Sequence, residues 1–226
     1  MHIPDGFIDG PTSLAAAGVA VAGLGIGVRK AADALDDRRA PLAGLVAAFV
    51  FAVQMLNFPV VNGTSGHLLG AVLAAVFVGP WAAVICLAVV LLVQALFADG
   101  GLTALGLNIV NMGLIGALGG YAVFLGARWL LPKTKGGVVA ASAVAAGVSV
   151  VMASAAFVLE YALGGTVDLS LGAVLGAMVG VHTFIGIGEA VITAMTVSAV
   201  LSVRPDLVHG AADLVPEPAV RTAVAS

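Results

Sequence analysis

The chain has 226 residues, 61% of them hydrophobic and only 9% charged, with a mean hydropathy of +1.16. A water-soluble domain carries roughly 25% charged residues, so this composition excludes one and reads as an all-α, polytopic membrane protein. The net charge of -3 is spread without a basic run, which argues against nucleic acid as a partner. The single cysteine, Cys86, rules out a disulfide framework or a thiolate cluster, so any metal must be held by nitrogen or oxygen.

The N-terminus, Met1-His-Ile-Pro-Asp5, lacks the basic start, short apolar core and cleavage site of a signal peptide, and is expected to stay in place. Methionine aminopeptidase removes Met1 only ahead of a small residue, and His2 is not small. A histidine at position two offers a metal three nitrogens in a row: the α-amine of Met1, the His2 amide nitrogen and the His2 ring Nδ1. They close a five-membered and a six-membered chelate ring, both nearly flat. An amide nitrogen gives up its proton only to metals such as Ni(II) or Cu(II) that favour square-planar nitrogen ligands. One corner of the square stays open, and His67 can fill it. Taken alone, a histidine at position two also fits an ordinary exposed side chain.

A helix needs about 20 apolar residues to cross a bilayer. The first span is predicted from Pro11 to Val28, before Arg29-Lys30, and the second from Pro41 to Phe58, after the charged connector Asp33 to Arg39. A polar Asn57 to Gly66 segment follows, then the uncharged run Leu68 to Ala98, divided by Gly79-Pro80. The residue before a proline resists the helical region, so this run is either one kinked helix or a hairpin of two. Further spans are predicted after Asp99-Gly-Gly101 to near Leu131, from Gly137 to Leu163 and from Leu171 to Val203.

Basic residues gather in cytoplasmic loops, and this decides between the two counts. With a hairpin at Gly79-Pro80, Arg29, Lys30, Arg38, Arg39, Arg128, Lys133, Lys135, Arg204 and Arg221 all fall on one side, and Asp5, Asp9, Asp99 and Asp168 on the other. The expectation is seven transmembrane helices, N-terminus outside and C-terminus cytoplasmic. Residues 1–203 form the transmembrane domain, and 204–226 a loosely ordered tail with His209 exposed to solvent.

The third span, from His67 to Gly79, has some 13 residues, or about 20 Å of helix, against a hydrocarbon core about 30 Å thick. The loop before it must dip below the outer surface, where non-helical backbone survives only if covered by protein or lining a cavity. His67 is therefore expected at the floor of an outward-facing pocket that the N-terminal tail can enter. Glu160, His182 and Glu189 fall in or near spans, where ionisable residues are functional candidates. His182 can equally serve as a helix–helix hydrogen bond. Gln54, Asn57, Asn62, Ser65, Asn108 and Asn111, with His182 and Glu189, are candidates for supporting the ligand rings.

Two other classes compete. Gly63-Thr-Ser-Gly66 matches the GxSG pattern of rhomboid intramembrane serine proteases, with His182 as base, but Met178 stands where those enzymes have a glycine, and His67 is left unused. A passive channel or carrier of an organic solute needs no free amine.

Met1-His-Ile-Pro-Asp-Gly-Phe7, Gln54-Met-Leu-Asn-Phe-Pro59, Gly63-Thr-Ser-Gly-His-Leu-Leu-Gly70 and His182-Thr-Phe-Ile-Gly-Ile-Gly-Glu189 together resemble the CbiM/NikM family. These are substrate-capture (S) components of energy-coupling-factor importers for cobalt and nickel. The resemblance spans nearly the whole chain and implies seven helices in a prokaryotic plasma membrane. It also implies that Met1, His2 and His67 hold Ni(II) or Co(II) as transported substrate, with no permanent cofactor. No Gly-x4-Gly-Lys-[Ser/Thr] phosphate loop is present, so uptake against a gradient needs ATPases on other chains, and this chain is expected to be a non-catalytic transport subunit. The implied partners are a membrane coupling (T) component, an ABC-type ATPase pair and a small accessory membrane protein.

Overall fold

The computed structural model describes residues 1–32, 39–60 and 64–215. Long apolar runs satisfy their own backbone groups by coiling, the general solution for a chain in lipid. The helices are α1 (Gly10–Ala32), α2 (Arg39–Gln54), α3 (Ala71–Val78), α4 (Pro80–Leu96), α5 (Leu105–Leu130), α6 (Lys135–Gly164) and α7 (Leu171–Val203). Helices α1, α5, α6 and α7 are long and apolar enough to cross a membrane, whereas α2 and α4 are shorter apolar helices. Large apolar side chains lie exposed on their outer faces, among them Leu14, Val21, Leu45, Leu159, Ile187 and Met195. That arrangement is stable only against lipid.

The helix ends follow local signals. Thr134 and Ser170 cap α6 and α7 by accepting the N–H groups of Gly137 and Ala173. Pro80 opens α4, where its missing N–H costs nothing. Just before it, Gly79 sits at φ +87, a backbone region that side chains resist. Here the chain reverses, so α3 and α4 form a hairpin.

Two boundaries differ from the sequence expectation, both beside the future site. Helix α2 stops at Gln54, not Phe58, because Phe58–Pro59 (β1) pairs antiparallel with Ser65–Gly66 (β2). Helix α3 begins at Ala71, not His67, because Gly70 takes φ +70 and its N–H bonds outside the helix. All eight residues of α3 are buried, against α2, α4, α5 and α6.

The bundle has two chemically distinct ends. At one lie the start of α1, the end of α2, the start of α3, the end of α4 and the start of α5, joined through the N-terminal segment and the 65–70 loop. At the other lie Arg29, Lys30, Arg39, Arg128, Lys135 and Arg204, each within a turn of a helix terminus. There Lys30 Nζ stands 5.5 Å over the Trp81 ring, and Arg128 pairs with Asp213 at 2.8 Å.

The described part of the tail is not loose. Short turns over Pro205–Leu207 and His209–Leu214 bury Val208 and Ala211 beneath α3, and His209 is half-buried with its ring 6.0 Å from that of Tyr121. Gly210 permits this, because any Cβ there would meet the Phe124 ring at 2.9 Å.

Helices α1 and α5 touch backbone to backbone: a Cβ on Gly106 would lie 2.5 Å from Ala17 Cα. Gly106→Leu is expected to destabilise the bundle by about 1–3 kcal/mol through overpacking. Gly126→Ala in the same helix, where nothing lies within 4 Å, should leave stability unchanged or raise it by up to about 1 kcal/mol through helix propensity. Thermal unfolding in detergent checks the pair, and equal melting temperatures for both would refute the close α1–α5 contact.

Candidate functional site

The N-terminal segment is drawn into the end of the bundle and held there by side chains acting as backbone partners. Asn108 at the start of α5 accepts the Ile3 N–H at 2.8 Å and donates to the Ile3 carbonyl at 3.2 Å, as a neighbouring strand would. The Gly101 N–H also donates to the Ile3 carbonyl, at 2.8 Å. Asp5 accepts two bonds from Thr103, 2.7 Å from its N–H and 2.6 Å from its hydroxyl. Those bonds hold the Asp5 carboxyl below its ordinary value. Farther along, Asp9 N–H bonds the Gly164 carbonyl at 2.7 Å, and the Phe7 ring rests near Phe157 and Tyr161. Met1 and Ile3 are fully buried, and His2 is 3% exposed.

The opposite wall is the non-helical segment from Ser65 to Gly70. Glu189 of α7 accepts the N–H of Leu69 at 2.8 Å and of Gly70 at 2.6 Å, and Gln54 donates to the Leu69 carbonyl at 2.7 Å. Each buried N–H left without a partner would cost about 1–3 kcal/mol, so Glu189 is what allows this loop to lie buried. The loop in turn fixes His67, whose Nδ1 donates to the Leu68 carbonyl at 2.8 Å.

Between these walls the two histidines meet, ring centroids 4.3 Å apart and planes 25° from parallel. The Met1 amine lies 3.4 Å and His2 Nδ1 3.3 Å from the same atom, Ser65 Oγ. His2 Nδ1 is also 3.2 Å from Asp99 Oδ1, and His2 Nε2 is 3.1 Å from Gln94 Oε1. His67 Nε2 is buried without a hydrogen-bond partner among the described residues. Burial pushes the Met1 amine down to about 4, against the pull of Asp99, which favours its neutral form with a free lone pair. Burial opposes ionisation of Asp99, but the His2 ring, the amine and Asn57 together hold its carboxyl below the ordinary value. A cavity of about 380 Å³ opens beside His2, Ser65, Asp99 and Asp5, giving the site an acidic mouth suited to a cation.

Among the described residues no three His, Cys, Asp or Glu side chains group as metal ligands. A metal held here would therefore need main-chain nitrogen, and Met1 and His2 supply it.

The structure gathers Met1, His2, His67 and Ser65 at one spot, with Gln54, Asn108 and Glu189 holding the backbone around them. Asn57 reaches the rim, donating to Asp99 at 3.0 Å. Asn111 is engaged away from the histidines, donating to Glu160 at 2.6 Å. His182 is fully buried with Nδ1 bonded to the Met178 carbonyl at 2.7 Å, and Asn62 lies outside the described residues. Ser65 faces the amine and His2, and no Ser65–His182 hydrogen bond links a nucleophile to a base, so the protease reading has no geometry here. Three contributors escaped the sequence reading: Gln94, Asp99 as a partner of His2, and Thr103. Gln94 had a signal, being the one side-chain amide in α4.

A helix bundle with exposed apolar faces around a buried nitrogen cluster is the architecture of a multi-pass membrane protein. The chain belongs to the CbiM family, described as the cobalt uptake substrate-specific transmembrane region, which matches residues 2–207. It is 38% identical over 174 residues to the cobalt transport protein CbiM of Sorangium cellulosum, covering 74% of this chain and 75% of that one. It is 43% identical over 130 residues to the fused nickel transport protein NikMN of Rhodobacter capsulatus, covering 57% of this chain and 38% of that one. A crystal structure of a transition metal transporter superposes with a TM-score of 0.83 at 33% identity, covering 90% and 93% of the two chains.

A Cβ on Gly101 would fall 2.4 Å from the Asp5 nitrogen and 2.8 Å from the Pro4 carbonyl carbon. Gly101→Ala is thus expected to lift the N-terminal segment out of its seat. The rate at which an amine-reactive ester labels Met1 in the detergent-purified protein should then rise by about the tenfold that 1.4 kcal/mol of lost seating represents. An unchanged labelling rate would contradict this docking.

Proposed function

We propose that this chain captures Ni(II) or Co(II) from outside the cell through a square-planar nitrogen site and passes it inward as the specificity subunit of an ATP-driven importer. The observation that carries this reading is the convergence of the Met1 amine and His2 Nδ1 on Ser65 Oγ, with the His67 ring against His2. The four ligands are the Met1 amine, the His2 amide nitrogen, His2 Nδ1 and His67 Nε2. Arrival of the ion turns the stacked His67 ring edge-on, pivoting about its bond to Leu68. Zn(II), which favours a tetrahedron, is disfavoured by the flat chelate.

Seven helices cross the membrane in this reading, α1 to α7 in alternation, with the site end outside. The clustering of basic residues at the far end supports that orientation, as does the acidic mouth formed by Asp5 and Asp99. Residues 1–203 act as the capture domain, and 204–226 face the cytoplasm. Energy comes from partners, because the chain has no phosphate loop: a membrane coupling component, an ABC-type ATPase pair and a small accessory membrane protein. ATP hydrolysis by that pair reorients this subunit and releases the ion inward.

Titration of Ni(II) and Co(II) into the detergent-purified chain, with its native N-terminus and with one residue added ahead of Met1, tests the site. The extension converts the amine into an amide and should weaken binding by more than the roughly 10–100-fold that outer-shell partners carry. Equal affinity in both forms would overturn the reading.

The proton balance gives a second expectation. The amine, already lowered to about 4, does not compete for protons between pH 7 and 5. The amide must still release one proton for each ion bound, so affinity should fall about tenfold per pH unit on acidification. Affinity that stays flat from pH 7 to 5 would exclude amide ligation.

A further inference from the structure

The two histidines of the site are bonded on opposite ring nitrogens. His67 gives its Nδ1–H to the Leu68 carbonyl at 2.8 Å, which leaves the lone pair on Nε2. His2 is held the other way round, with Nε2 3.1 Å from Gln94 Oε1 and Nδ1 3.3 Å from Ser65 Oγ. Gln94 Oε1 can only accept and so favours hydrogen on His2 Nε2, whereas Asp99 Oδ1, 3.2 Å from Nδ1, favours it on Nδ1. Only Nδ1 can close a six-membered chelate ring with the residue's own amide, since Nε2 lies on the far side of the imidazole.

We propose that Gln94 is a positioning residue, drawing the His2 ring hydrogen to Nε2 against the pull of Asp99 so that Nδ1 is left to face the metal. The inference rests on the chelate reading above. It is supported by the rest of the Gln94 side chain: it is fully buried near the end of α4, and its Nε2 has no hydrogen-bond partner among the described residues. A buried amide is costly unless hydrogen-bonded, and packing alone would be served by leucine or methionine. The His2 bond is what retains an amide at this position. Second partners of this kind orient metal-binding histidines generally, and their loss typically weakens metal affinity about 10–100-fold.

The test uses the full chain with its native N-terminus and ¹⁵N-labelled histidine. Gln94→Glu keeps an acceptor facing Nε2, and Gln94→Leu removes it. Expected for Gln94→Leu is Ni(II) affinity about 10–100-fold weaker, with the His2 ¹⁵N shifts in the metal-free protein moving from the Nε2–H pattern toward the Nδ1–H pattern that Asp99 favours. The His67 shifts should stay in place, showing an intact site. Gln94→Glu should retain the native tautomer and bind within about threefold of the native chain, well short of that loss.

The proposal is overturned if Gln94→Leu keeps both the His2 tautomer and the native affinity, or if Gln94→Glu fails as fully as Gln94→Leu. The native chain and its one-residue extension are titrated alongside. If those two bind alike, the chelate reading itself has failed; if only the native form binds while Gln94→Leu is unaffected, this inference alone has failed. The tautomer readout needs no metal, so it judges Gln94 in either case.

Discussion

Main-chain polar groups buried away from water must find partners inside the protein, and the site depends on that constraint. Two stretches of backbone here are non-helical and largely buried: residues 1–3 with 7–8, and the 65–70 loop. Left to themselves they would carry several unsatisfied N–H and C=O groups into the bundle, at a cost exceeding the stability of most single interactions. Asn108 closes both groups of Ile3, Gly101 adds a second donor, Thr103 ties Asp5, and Glu189 with Gln54 completes Leu69 and Gly70. These residues come from α2, α5, α7 and the loop between α4 and α5. The placement of Met1 and His67 is therefore a property of the whole bundle rather than of the short motifs that contain them.

Burial also sets the chemistry. An exposed N-terminal amine is mostly protonated at neutral pH and must lose a proton before it can bind a metal; burial in this pocket favours the neutral form. The cost of that neutral burial is spread over the apolar contacts of Met1 and Ile3, both inaccessible to solvent. Asp99 at the rim supplies the opposite charge where a cation arrives, and the His2 ring lies between the two. In the proposed chelate an incoming ion would find the amine and the His2 ring already ordered, which favours affinity through preorganisation.

Much of the helical frame was legible in the amino-acid order, because hydropathy and caps are local. The apolar runs place α6 and α7 within two residues of their observed ends, and Thr134, Ser170 and Pro80 are ordinary start signals. Met1, His2 and His67 were legible as a group from the chelate chemistry of a histidine at position two together with the motifs that resemble the CbiM/NikM family. Less could be read where partners lie far apart along the chain. The early end of α2 and late start of α3 come from the β1–β2 pair and from Glu189, 119 positions beyond Gly70. Asn111 and His182 carried the same polar signal as Asn108 and Glu189, yet bond elsewhere. The tail folds under α3 through a contact of Gly210 with Phe124 that no periodicity announces.

The central claim is that a metal ion is held in a plane of four nitrogens, one of them a deprotonated main-chain amide. Nickel K-edge X-ray absorption on the loaded chain with its native N-terminus tests this most directly. The expected spectrum has the pre-edge feature of a square-planar ion and a single shell of four nitrogen donors with imidazole scattering. A six-coordinate shell containing oxygen, with no square-planar feature, would contradict the account.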